Sequence, residues 1–131
     1  KTITFTNYSN LIHNSNNFIM VLRETDTTKE YAVVREDNYG WDGVADDGNG
    51  YDACVHNGTQ GDWLTWLAGM NGAKVTVYVT NCGNGTADVQ AVMEGTTNAT
   101  STQYYLGINK VNSNDLNFAL TVDGCHLVFN N

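Results

Sequence analysis

"AKVTVYVTNCGNGTADVQAVME", residues 73–94, decides the fold class. Its first half alternates, with Ala73, Val75, Val77 and Val79 on one side and Lys74, Thr76, Tyr78 and Thr80 on the other. A period of two is that of a strand with one face buried. "NCGNGT" (81–86) carries Gly and Asn, which supply the positive φ angles a tight reversal needs. The second half alternates again, with Ala87, Val89, Ala91 and Met93 inward and Asp88, Gln90, Val92 and Glu94 outward. The stretch reads as a β-hairpin lying on a core.

The same signal recurs on both sides. "TITFT" (2–6) alternates around Ile3 and Phe5, and "NFIMVLR" (17–23) is nearly continuous apolar, as in a strand covered on both faces. "EYAVVR" (30–35) follows the polar "ETDTTK" and completes a second hairpin. "STQYYLGI" (101–108), "LNFALTV" (116–122) and "CHLVF" (125–129) follow, the last two joined at Asp123-Gly124. "DWLTWLAGM" (62–70) has room for one or two helical turns, but its β-type residues and its place before a strand favour a strand. Eight to ten short strands without any proline predict an all-β fold, an antiparallel β-sandwich of jelly-roll type. No repeat or linker divides the chain, so residues 1–131 read as one module.

Composition narrows the partners. The net charge is −8, with six Lys and Arg against 14 Asp and Glu, which leaves no basic footprint for nucleic acid and disfavours an anionic membrane surface. Anionic polysaccharides are disfavoured on the same ground, whereas a neutral ligand is not. No apolar run approaches a membrane span. A chain that opens without methionine, inside a strand pattern, reads as a mature or excised piece of something larger. Cys54, Cys82 and Cys125 stand far apart and allow one disulfide at most, and with His13, His56 and His126 they form no zinc spacing.

Aromatic rings in polar company mark a sugar site. Tyr39 and Trp41 sit in "DNYGWDGVADDGNGYD" (37–52), a stretch dominated by Gly, Asp and Asn with little core to enter. Trp63 and Trp66 stand three apart, an odd spacing that separates them on a regular strand, and Tyr104 and Tyr105 are adjacent. A flat ring buries the C–H face of a pyranose and meets it with its negative π-face. Asn38, Asp88, Gln90 and Gln103 add side chains able to hydrogen-bond vicinal hydroxyls, and Tyr78 shares the polar strand face that Asp88 and Gln90 continue on the next strand. Asp42, Asp46, Asp47, Asn49 and Asp52 make the 42–52 loop oxygen-rich, as calcium prefers. An EF-hand alignment on Gly50 fails, however, with Ala45 at its first ligand position and His56 at its twelfth. An unliganded polar loop is the first reading and a structural calcium the second, so no cofactor or metal ligand is assigned. Asp62, Asp88 and Glu94 form no acid/base motif, and no nucleophile elbow occurs, so no catalytic residue is assigned.

"NFIMVLRETDTTKEYAVVREDNYGWDG", "DWLTWLAGMNGAKVTVYVTNCGNGTADVQAVMEG", "YYLGINKV" and "LTVDGCHLVF" resemble the non-catalytic carbohydrate-binding modules of bacterial plant-cell-wall hydrolases, over about residues 5–129. "VVREDNYGW", "MNGAKVTV" and "LTVDGCHLV" are its most specific pieces. The resemblance implies a secreted β-sandwich binding β-1,4-linked glucan (cellulose chains, xyloglucan or mixed-linkage β-glucan) in an aromatic-lined cleft. It further implies a glycoside hydrolase in the same polypeptide, and it supports Trp41, Trp63 and Trp66 more than Gln90, Tyr104 and Tyr105. The acidic insert at 44–61 departs from that pattern and alters the cleft rim. A lectin or adhesin pocket for short sugars uses the same residues, and a small glycan-cleaving enzyme is the third reading.

Overall fold

A computed structural model describes residues 1–9, 17–24, 30–36, 63–81, 85–96, 100–109 and 116–130. In chain order the elements are β1 Thr2–Ser9, β2 Asn17–Glu24, β3 Glu30–Arg35, α1 Trp63–Met70, β4 Ala73–Asn81, β5 Thr86–Glu94, β6 Thr100–Asn109, β7 Leu116–Asp123 and β8 Cys125–Phe129. They form a five-stranded sheet of order β6-β5-β4-β1-β8 (sheet A) and a three-stranded sheet of order β3-β2-β7 (sheet B). Every pairing is antiparallel, and the two sheets make a β-sandwich. In sheet A β1 lies between β4 and β8, in sheet B β2 lies between β3 and β7, and β4, β5 and β6 run as a plain meander.

The 73–94 hairpin forms in the expected register, with Val75 opposite Met93, Val77 opposite Ala91 and Val79 opposite Val89. That row faces the core: Ala73, Val75, Val77, Ala87, Val89, Ala91 and Met93 are all buried. Sheet B answers with Phe18, Met20 and Leu22 from β2 and Ala32 and Val34 from β3. Phe5 of sheet A meets Phe18 of sheet B edge-on, with ring centroids 5.2 Å apart, which fixes the two sheets against each other. The continuous coverage expected of β2 falls instead on β3, where Tyr31 through Val34 are all buried. On β2 the alternate residues Ile19 and Val21 are only half-buried.

Residues 63–70 form a helix rather than the expected strand. The deciding pattern is Trp66, Leu67 and Met70, which are i, i+1 and i+4 on a helix and are all buried, while Ala68 is exposed. A two-turn helix has little stability of its own and depends on tertiary contacts. Here those contacts sit at its C-terminus, where carbonyls would otherwise be orphaned. The Thr96 amide donates to Gly69 O at 2.8 Å, and Asn7 Nδ2 donates to Met70 O at 2.9 Å. Gly72, at φ 91, turns the chain into β4, and its amide donates to Asn7 O at 2.6 Å. The last two strands also differ from a hairpin. Gly124, at φ 66, carries the chain from β7 in sheet B to β8 in sheet A, and the two do not pair.

Phe5 is fully buried, lies edge-on to Phe18 and also touches Phe129 at 5.1 Å. Phe5→Ala is expected to lower stability by about 3–5 kcal/mol through the lost transfer energy and the cavity left between the sheets. Urea denaturation of the two proteins measures it.

Candidate functional site

The outer face of sheet A carries the polar rows of β4 and β5. The register aligns Thr2, Tyr78, Gln90 and Tyr104 across β1, β4, β5 and β6. Tyr78 is 43% exposed and Gln90 half-buried, so a phenol lies in the open beside a carboxamide. Thr80 stands opposite Asp88 one step along, and Thr76, between Thr4 and Val92, is the buried member of the face. Three strand spacings make the Thr2–Tyr104 row about 14 Å long, enough for a di- or trisaccharide. An exposed ring can bury one face of a sugar, while an amide beside it donates and accepts at the hydroxyls.

The remaining expected site residues separate. Tyr104 occupies the register position opposite Gln90, whereas Gln103 and Tyr105 stand opposite Ala91 and Val89, residues of the core row. That answers which of the two adjacent tyrosines belongs to the Tyr78 row. Trp63 opens α1, and its side chain lies outside the described residues. Trp66 is a core residue: it is 3% exposed, and its indole Nε1–H donates to the Glu36 carbonyl at 2.9 Å. Asn38, Tyr39, Trp41 and the 42–52 loop lie outside the described residues, as do Cys54 and Cys82. Among the described residues no group of three or more His, Cys, Asp or Glu is placed to hold a metal ion.

A second polar constellation was not anticipated. Glu36 is fully buried just after β3. Its Oε1 accepts from Ser9 Oγ at 2.6 Å and from Asn7 Nδ2 at 3.2 Å, and its Oε2 accepts from Cys125 Sγ at 2.9 Å. The Glu36 amide donates to Asn17 Oδ1 at 3.0 Å, and Asn7 Nδ2 also donates to Ser9 Oγ at 2.9 Å. The signal was present in β1. The core row of Ile3 and Phe5 continues into Asn7 and Ser9, and polar residues at inward positions require a buried partner. Burial first, and then the hydrogen bond to Glu36, push the Cys125 thiol from its ordinary 9.0 up to about 12. This thiol is a hydrogen-bond donor, not a nucleophile, at neutral pH. No family model, curated protein or solved structure matches the chain, so the likeness to carbohydrate-binding modules rests on the sequence.

Glu36→Ala leaves Ser9, Asn7 and Cys125 without their shared acceptor and is expected to cost about 3 kcal/mol or more in a urea titration. The thiol makes a pH prediction of definite sign. Its proton is held more tightly in the folded chain, so its contribution is intact below about 9 and fades as pH rises toward about 12. The stability difference between the parent chain and Cys125→Ala is therefore expected to be flat up to pH 9 and to shrink above it. A difference that grows in that range contradicts the assignment.

Proposed function

We propose that this chain binds neutral β-1,4-linked glucan without cleaving it, on the outer face of sheet A. The observation that carries the reading is the exposed Tyr78 in one row with Gln90, on a sheet face whose next step offers Asp88 and Thr80. A net charge of −8 favours an uncharged chain over an acidic one. Asp88 and Glu94 are six residues apart on one strand, about 20 Å, too far to flank a single glycosidic bond as a glycosidase pair does. Ring stacking supplies the apolar part of the affinity and side-chain hydrogen bonds the orientation. Water competes for those hydrogen bonds, which sets affinity at micromolar or weaker, about −8 kcal/mol or less favourable.

The resemblance read from the sequence adds the setting: a secreted bacterial module that holds an attached glycoside hydrolase near plant-cell-wall polysaccharide. Trp41, in the glycine- and aspartate-rich loop, is the second stacking residue of the reading, on sequence alone.

Affinity electrophoresis against soluble plant polysaccharides, followed by calorimetry with cello-oligosaccharides, tests it. Tyr78→Ala is expected to weaken binding about tenfold, the loss of roughly one stacking contact, with an unchanged circular dichroism spectrum. Affinity should also rise with oligosaccharide length until the row is filled. Equal affinity for glucose and cellohexaose points to a lectin pocket instead, and release of reducing ends from polymer would identify an enzyme.

A further inference from the structure

The core rows run out of cover along one side of the sandwich. Met20 is buried, yet Leu120, its register partner on β7, is 42% exposed. Phe18 is fully buried and its partner Val122 is 47% exposed. In sheet A, Phe5 is fully buried and its partner Phe129 on β8 is 45% exposed. In each pair, one step outward along the register takes an apolar core residue into water. The three outer residues lie on β7 and β8, the end strands of sheets B and A among the described residues, and only Gly124 separates those strands. Among the described residues both sheets stop at the same side, and neither covers the other's last row.

The residues of β8 themselves carry none of the usual edge protection. Sheet edges are ordinarily blunted by proline, lysine, inward charges or bulges. Cys125, His126, Leu127, Val128 and Phe129 include no proline, no lysine and no acidic residue. The Asn130 amide donates to Thr4 O at 3.0 Å. By antiparallel alternation, the amides of Cys125, Leu127 and Phe129 are directed away from β1, along the sheet edge.

We infer that this edge pairs with a second copy of the same chain, β8 against β8, antiparallel about a two-fold axis. Pairing centred on Leu127 sets Cys125 opposite Phe129 and His126 opposite Val128, so the core row of one copy meets the core row of the other. The incoming strand brings the apolar row that the uncovered side lacks, and the two sheets A become one ten-stranded sheet. Carboxylates and ammonium groups are absent from β8 itself, so the −8 of each copy is carried elsewhere. Leu120, Val122 and Phe129 are open on the core side of the edge and Val128 on its outer side, so an incoming strand meets apolar side chains on both faces.

Sedimentation velocity of this chain from about 1 to 200 µM, the range of weak self-association, tests the inference. A monomer–dimer equilibrium is expected that tightens with added salt, because like charges on the two copies are then screened. Val128→Lys and His126→Lys, both at exposed positions of the edge, should each raise the dimer dissociation constant about tenfold or more without changing the circular dichroism spectrum. Thr121→Lys puts the same charge on the other row of β7 and should leave the equilibrium unchanged. A chain that stays monomeric throughout the range in high salt overturns the inference. So does a dimer that neither edge variant weakens.

Discussion

The buried Glu36 carboxylate is the contact on which the rest of the sandwich depends. It joins the strand that ends sheet B's hairpin to two strands of sheet A, through Ser9 and Asn7 on β1 and Cys125 on β8. Its carbonyl also holds the Trp66 indole, so the helix is fastened to the same residue. A buried carboxylate is costly to desolvate, and it is tolerated here because neutral donors converge on it. That cost has a structural return. Apolar packing alone would let β1 slide by two residues along β4 and β8 with its core row still inward. Only one register brings Asn7, Ser9 and Cys125 to Glu36 together.

Register is also what composes the outer face. Once β1 is fixed, Thr2 stands opposite Tyr78, and β5 and β6 extend the same row through Gln90 to Tyr104. A shift of one residue between β4 and β5 would send Tyr78 beside an inward residue and break the polar row. The node thus bears on the β1 end of the row, Thr2 beside Tyr78, while Gln90 and Tyr104 depend on the β4–β5–β6 pairings. The β6 strand takes up one extra residue between the partners of Ala87 and Val89, so the regular ladder that aligns Gln90 with Tyr104 stops at Val89–Tyr105.

Period-two alternation made most of this legible beforehand. The 73–94 hairpin, the β2–β3 hairpin and the inward and outward sets of β4 and β5 follow from residue spacing, because one-sided burial writes itself into a strand. The helix at 63–70 was hidden by its residue types. Trp, Thr and Leu suit strands, and eight residues are too few for a helical period to stand out against that preference. The spacing of Trp66, Leu67 and Met70 and the glycine at 72 were the signals that outweighed it. The Glu36 node was half visible, as the polar continuation of β1's core row, but its acceptor lies 27 residues from Ser9 and no local pattern links them. The separation of β7 from β8 was invisible for another reason: Asp-Gly serves both a hairpin and a corner between sheets, and only the pairing partners distinguish the two.

The proposed sugar row and the proposed pairing edge share sheet A. The Tyr78 row runs from β6 to β1, and β8 is the next strand beyond it, two strands from Tyr78 on β4. Joining two copies through β8 leaves both rows open and puts them on one continuous sheet, facing the same side if that sheet stayed flat. Native sheets twist by roughly −20 to −25° per strand, so ten strands would turn the two rows well out of parallel. A single stiff glucan would then meet both rows only where it bends or where separate chains cross. Two weak sites linked in this way gain from effective concentration on a polymer surface but gain nothing on a short oligosaccharide. The contrast between polymer and oligosaccharide affinity would thus bear on the proposed assembly as well as on the proposed sugar row.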